Sequence, residues 1–291
     1  MNTDKINKYL AEWYERNEKK VRVLMHTLWA HPEVALKEYY ACDTIVKFLQ
    51  QQGFVTIETH AAENWKSSEE RPNTVIASWG HGKPVIGIVG ELDALPNLGN
   101  ENVPRRQALE GPGHACGHNL MGGGAAAAAS ALRYAMEKEE LHGTIRLIEA
   151  PAEEIGVGKA YLAKNGVFSD LDMALMWHPA QGKLDISPVN QTVAFRVEFS
   201  FYGKSAHASG MPWEGRSALD AVQLMNLGCE FMREHIKPHV RVHYYIPNGG
   251  SAPNIVPDYA SVVYMFRALD DYGAAENVME RAVKCAEGQL L

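Results

Sequence analysis

The stretch PVIGIVGELD, residues 84–93, decides how this chain is read. From Pro84 to Gly90 it is apolar on nearly every residue, as expected of a strand covered by helices on both faces. It then runs directly into two carboxylates, Glu91 and Asp93. TIRLIEAPAEE (144–154) and DMALMWH (172–178) repeat the plan, an apolar run ending in Glu153 and Glu154 or in His178. TVIASWG (74–80) reads as a further strand. Helical segments lie between and before them, at Asn119–Glu139 and Gly156–Lys164, and at Asp4–Trp29 and Leu36–Gln52 around the turn AHPEV, with Gly53 as the stop. Alternating strands and helices predict an α/β domain with a largely parallel sheet and flanking helices.

In open parallel sheets, ligands gather outside the carboxyl ends of the strands. The ends found here carry Glu91, Asp93, Glu153, Glu154 and His178. The Gly/Pro-rich loop 97–118 delivers GHACGHN, with His114, Cys116 and His118, towards the same edge. Carboxylate, imidazole and thiolate together form a donor set for a divalent transition metal such as Zn or Mn. Gly117 frees Cys116 and His118 to turn towards one point, and Gly122–Gly124 let the following helix begin close to it, with His114 read as a loop-packing residue. Each piece has a plainer reading. Cys116 fits a buried cysteine, Glu153–Glu154 fits a complement to a helix N-terminus, and His178 fits a satisfied strand-end histidine. A cysteine hydrolase built on Cys116 and a histidine is a further alternative. The joint occurrence at successive strand ends favours the shared metal site. In such a site one carboxylate holds metal while its neighbour serves as general base towards a metal-activated water.

The composition sets the outer limits. At 291 residues, 46% hydrophobic and 22% charged with a formal net charge of -7, the chain is long enough for one large or two medium domains and lacks the basic stripe of a nucleic-acid binder. Its four cysteines are widely spaced, which favours a reducing, cytoplasmic setting. No apolar run suits a signal sequence or a membrane span. After about Pro188 the texture changes. TVAFRVEFSFYG alternates like a half-exposed antiparallel strand, Ser217 caps an amphipathic helix, and two strands and a helix follow. This β-α-β-β-α order predicts a small two-layer α+β domain, giving a division into 1–187 and 188–291.

The ordered set LWAHPE, GKPVIGIVGELDALP, GHACGHNLMGGG, PAEE, WHPA, GKSAHAS, GRSALDAV and SAPNIVP resembles the dinuclear-metal amidohydrolases of the aminoacylase and carboxypeptidase family, and within it the aminobenzoyl-glutamate-cleaving branch. The resemblance runs over essentially the whole chain. It implies a zinc-peptidase-like catalytic domain holding two divalent ions, Mn or Zn, with Cys116, His118, Glu154 and His178 as ligands. It also implies Glu153 as general base and acid, and Asp93 as the residue orienting the metal site. Glu91 stands where more distant relatives use a metal-binding histidine and is not carried over as a ligand. The small domain is similar to the family's lid, through which two protomers dimerise. His207 there matches an oxyanion-stabilising histidine that reaches the partner's active site, and Asn254 and Arg267 match residues that bind the substrate carboxylate.

The implied activity is hydrolysis of the amide bond of an N-acyl or N-aroyl amino acid of the p-aminobenzoyl-glutamate type. The implied assembly is a homodimer through the lid, or a heteromer with a related chain. Asn119 replaces an aspartate common after CGH in many relatives, a difference of subgroup. Family members continue past Leu291 to a further metal-binding histidine, so the C-terminal part of both domains is expected to be missing. A truncated, catalytically silent metal-binding or dimer-forming partner of a full-length enzyme chain is therefore the alternative expectation.

Overall fold

The structure, a computed structural model, describes residues 3–65, 71–180, 192–269 and 271–288. It divides into two compact units, Met1–Lys183 and Leu184–Leu291. The expected boundary at 187/188 falls within 181–191, outside the described residues.

The first unit opens with two helices, α1 (Thr3–Ala30) and α2 (Tyr39–Gln51). Strands β1 (Thr56–His60), β2 (Thr74–His81) and β3 (Val85–Glu91) follow, then a small hairpin of β4 (Gly99–Asn100) and β5 (Ala108–Leu109). Helix α3 (His118–Lys138), strand β6 (Gly143–Ala150), helix α4 (Gly158–Lys164) and strand β7 (Met173–Met176) complete it.

The main sheet has the order β1-β2-β6-β3-β7. Its β6-β3-β7 half is parallel, with Ile88 of β3 aligned to Leu147 on one side and Leu175 on the other. The β1-β2-β6 half is antiparallel, so the sheet is mixed, not largely parallel. The cause lies in β2. Its apolar run TVIASWG is equally compatible with either direction, and the polar strand TIETH before it sets up an antiparallel return.

Strand alternation distributes β2 and β6 between two cores. Val75, Ala77, Ile145 and Leu147 pack with α1, α2 and α3, while Ile76, Ile148 and Ala150 face Leu162 of α4. Helix α3 owes its close seat to small residues. A Cβ on Gly122 would come within 2.7 Å of Leu92, and one on Gly123 within 2.6 Å of Met25 of α1. Strand β7 departs from expectation. All four of its residues are exposed, Met173 and Leu175 each by 54%. Its apolar run therefore marks an open edge of this unit and not a strand covered on both faces.

The second unit contains β8 (Thr192–Tyr202), α5 (Ala218–Met232), β9 (Val240–Asn248), β10 (Tyr259–Leu269) and α6 (Tyr272–Glu287). The three strands form an antiparallel sheet with β10 in the middle. Tyr264 and Phe266 of β10 pack with Val222, Met225 and Cys229 of α5 and Val278 and Ala282 of α6, so both helices cover one face. Ser217 caps α5 by accepting the Asp220 amide proton at 3.1 Å, as expected from the sequence. Asp271 caps α6 by accepting from Ala274.

Candidate metal centre

The site lies at the carboxyl ends of β3, β6 and β7, the parallel part of the sheet. Just beyond β3, buried Asp93 accepts the backbone amide protons of Glu153 through Oδ1 (3.1 Å) and Glu154 through Oδ2 (2.9 Å). The loop after β3 thereby fixes the loop after β6. The same Asp93 takes the Nδ1 proton of His118, whose ring is 2.9 Å from its carbonyl and 3.2 Å from Oδ1. With that tautomer fixed, Nε2 of His118 is the nitrogen left to act as a ligand.

Gly117 precedes α3 at φ +85°, a left-handed conformation that an L side chain adopts only under strain, and a Cβ there would meet Pro179 at 2.8 Å. It lets Cys116 and His118 face one another across the helix entrance. Sγ of Cys116 is 3.2 Å from Nε2 of His178. His178 gives its other ring proton to the Pro179 carbonyl at 2.7 Å.

Two groups of donor atoms converge here. Cys116, His118 and His178 bring one ligand atom each within 4.8 Å of one another, and so do Glu91, His118 and Glu153. His118 belongs to both. Glu154 is in neither group. It lies against Cys116, and its Oε1 is buried without a hydrogen-bond partner. Nε2 of His118 and Oε2 of Glu91 approach to 3.1 Å, yet neither makes a hydrogen bond. Buried polar atoms without partners are costly, and atoms of these types are what a divalent cation would satisfy. The donor set therefore fits the expected metal.

The electrostatics agree. Burial pushes the Cys116 thiol up to about 12, helped by the charge of Glu154 and its hydrogen bond to the sulfur, and by Glu153 and Glu91. Burial also raises Glu154, and Glu153 adds to the effect, against the lowering influence of His118. Burial works to lower His118, but the Asp93 hydrogen bond and the charges of Glu91, Asp93 and Glu154 outweigh it, so the imidazole lies above its usual range. A thiol held protonated by surrounding carboxylates is the reverse of an activated cysteine nucleophile. A cation placed among these groups would reverse all three tendencies.

Several residues of the site carry no plain signal in the sequence. Lys159 of α4 pairs with Oε1 of Glu91. Glu149, fully buried beside Glu91, has neither carboxylate oxygen partnered, and burial with the Glu91 charge holds it well above the usual carboxylate range. Buried Glu38 bonds the Ala152 amide at 2.7 Å. Glu91 and Glu149 end strands, and that position is the one available clue. Lys159 and Glu38 look like ordinary helix charges. His114 is half-buried, its ring held down at about 4 by burial and the nearby His118, consistent with a packing role. It also lines a cavity of about 800 Å³ with Trp29, Pro32, Leu98 and Leu109.

The remaining expected site residues belong to the second unit. His207 forms an isolated bridge with Ile255, beside Asn254, whose carbonyl accepts from the Ala208 amide. Nδ1 of His207 accepts from the amides of Ser209 (3.3 Å) and Gly210 (3.1 Å), which leaves the ring proton on Nε2. Arg267 projects from β10 opposite the helix-covered face, in register with Arg241 and Ala194, and its Nε is buried without a partner.

The first unit is thus a mixed sheet with helices on both faces and a cysteine, histidine and carboxylate cluster at its parallel end. Residues 87–286 match the model of peptidase family M20/M25/M40, and the chain belongs to that family. It is 36% identical to the larger-matching of two p-aminobenzoyl-glutamate hydrolase chains of Escherichia coli, over 98% of this chain and 58% of that protein. It is 33% identical to the human Xaa-Arg dipeptidase over 89% of the chain and 57% of that protein. The chain thus spans less than two thirds of the length of these relatives. Its fold matches an aminobenzoyl-glutamate utilization protein of Klebsiella pneumoniae with a TM-score of 0.68 at 21% identity, covering 96% of this chain and 74% of the other. A dinuclear metal-binding peptidase of Bacillus subtilis matches with a TM-score of 0.60 at 23% identity, covering 94% and 70%. Among the described residues no helix is long and apolar enough to cross a membrane.

Proposed function

We propose that the chain carries the metal-binding part of an amidohydrolase that cleaves the amide bond of an N-acyl or N-aroyl amino acid, of the p-aminobenzoyl-glutamate type. The observation that carries this reading is the convergence of Cys116, His118 and His178, with Glu154 against Cys116, beside the ends of the parallel strands. In it Cys116, His118, Glu154 and His178 would hold two divalent ions, Mn or Zn. When bound, such ions polarise a carbonyl and lower the pKa of water at the site.

The protein side of the chemistry falls to named groups. Glu153 is part-exposed, and its backbone is pinned by Asp93. It takes a proton from the attacking water and returns it to the leaving nitrogen. Asp93 orients His118 and the Glu153–Glu154 peptide. Glu91 is tied to Lys159 through Oε1 and stands beside the ligands. Residues 1–187 form the catalytic domain and 188–291 a lid and dimerisation domain, in which the Nε2 proton of His207 serves the developing oxyanion in the partner's active site and Asn254 and Arg267 bind the substrate carboxylate. The cavity beside Trp29 and His114 suits the acyl or aryl group. Two relatives from Escherichia coli are named as different chains of one hydrolase, which supports assembly with a related chain in addition to a second copy. A cytoplasmic setting agrees with the free cysteines.

The test is hydrolysis of p-aminobenzoyl-glutamate and a panel of acyl-amino acids by the Mn- or Zn-loaded chain, with Glu153→Ala and a chelator as controls. The proposal expects turnover abolished by either. Turnover that survives the chelator but is lost on thiol alkylation would contradict it and favour the cysteine hydrolase.

A further inference from the structure

Three consecutive backbone amides, those of Ala152, Glu153 and Glu154, are each bound by a buried carboxylate. Asp93 holds the second and third. The first belongs to Glu38, which the family resemblance does not single out. Oε1 of Glu38 accepts from the Ala152 amide at 2.7 Å and from the Leu36 amide at 3.0 Å. Both amides belong to left-handed residues that are not glycine, Ala152 at φ +52° and Leu36 at φ +68°. Such backbone persists only where its surroundings over-determine it. One carboxylate oxygen thus joins two strained positions 116 residues apart in the chain, one before α2 and one immediately before the Glu153–Glu154 pair.

The surroundings explain why a glutamate in this place has such reach. Glu38 is fully buried at the start of α2 but gives that helix no side-chain cap. Glu33 does so instead, accepting the amides of Tyr40 and Ala41, each at 3.0 Å. The Glu33 carbonyl also accepts the Ala94 amide at 2.7 Å, and Val34 bridges Ala94. The segment 33–38 is therefore stitched to the loop after β3 through Ala94 and to the loop after β6 through Ala152, the two loops that carry Asp93 and Glu153–Glu154. Ala152 itself is turned so that its carbonyl accepts the amides of Val157 and Gly158.

We propose that Glu38 is a positioning residue of the metal centre: by binding the Ala152 amide it fixes the left-handed turn that presents Glu153 and Glu154 to the site. This rests on the metal-centre reading, and its test has one arm independent of metal. Hydrogen–deuterium exchange of the metal-free chain is compared for wild type, Glu38→Gln and Glu38→Ala. In Glu38→Ala the amides of 152–154 should exchange about tenfold faster or more, with those of β8–β10 unchanged; in Glu38→Gln, which keeps an acceptor in the same place, protection should be retained. Unchanged protection at 152–154 in Glu38→Ala overturns the proposal. Should Glu38→Ala fail to fold, Glu38→Asp, one methylene too short to hold both amides, is read by the same criterion.

The second arm titrates each chain with Co²⁺ alone and follows its visible absorption. Affinity should fall about tenfold or more in Glu38→Ala and stay within about threefold of wild type in Glu38→Gln. Equal affinity in both variants, with an unaltered cobalt spectrum, contradicts the positioning role. A wild-type chain that takes up no Co²⁺ overturns the metal reading, while the exchange arm still decides whether Glu38 holds the turn.

Discussion

The two units treat buried polarity in opposite ways. Among the described residues, the first buries the ionisable groups Glu38, Glu91, Asp93, His118 and Glu149, several with orphaned atoms. The buried polar side chains of the second, Asn226 and Ser261, are both satisfied, and its orphaned atoms, Nε of Arg233 and of Arg267, belong to part-exposed residues. The Tyr264 hydroxyl donates to Asn226 Oδ1 at 2.6 Å, and Asn248 Nδ2 donates to Ser261 Oγ at 3.1 Å. The second unit closes its core over satisfied polar side chains, while the first buries several carboxylates and a histidine beside one sheet edge. Burying carboxylates without partners is unfavourable, and a protein retains them where a ligand or a proton completes the network.

The contrast can be broken experimentally. The largest expected effect is at the ligands. Cys116→Ala or His178→Ala should lower divalent-metal affinity by about 100-fold, with Asp93→Asn at about 10- to 100-fold because it acts through His118 and the Glu153–Glu154 amides. Isothermal titration with Mn²⁺ or Zn²⁺ reads both. Equal affinities across the series would remove the metal centre from the first unit.

Next comes pH. Burial pushes Glu38 up to about 8 from an ordinary 4.5, against the lowering influence of its bonds to Ala152 and Leu36. The folded state therefore prefers the protonated acid. Its stability contribution is fully present below pH 4.5 and is lost as pH rises through about 8. Across that window the loss is roughly 3–5 kcal/mol. Glu38→Gln, isosteric with the protonated acid, should flatten this part of the stability profile in urea unfolding at a series of pH values. A parallel profile for wild type and variant would contradict the assignment.

Smaller effects belong to the second unit and should leave metal uptake untouched. Tyr264→Phe leaves buried Asn226 without its donor and should cost about 1–3 kcal/mol. Ser217→Ala removes the α5 cap and should cost about 1 kcal/mol. Both are read by denaturant midpoints. A change in metal affinity in either variant would mean that the units are not separable in the way proposed.

The strands that carry the site were legible because continuous apolar runs ending in chemistry-bearing residues leave few alternatives. Strand direction was not. The run in β2 reads identically either way up, and β1 is too polar to stand out, so the antiparallel half of the sheet was invisible. Strand β7 misled for a related reason. Its apolar MALM looks like a strand covered on both faces, although in this unit it is an exposed edge. Among the candidate ligands, Cys116, His118 and His178 stand out in the sequence through glycine spacing and strand-end position. Glu38 and Lys159 did not, because one glutamate at a helix start and one lysine in a helix match countless solvated charges. Their roles come from burial and from partners 114 and 68 residues away in sequence.

The central claim is that Cys116, His118, Glu154 and His178 form one divalent-metal centre in the first unit. Native mass spectrometry of the chain equilibrated with Zn²⁺ or Mn²⁺ tests it most directly. About two ions per chain are expected for wild type, and the loss of at least one in His118→Ala. A wild-type chain that binds none, or a His118→Ala chain that keeps its full complement, would contradict it.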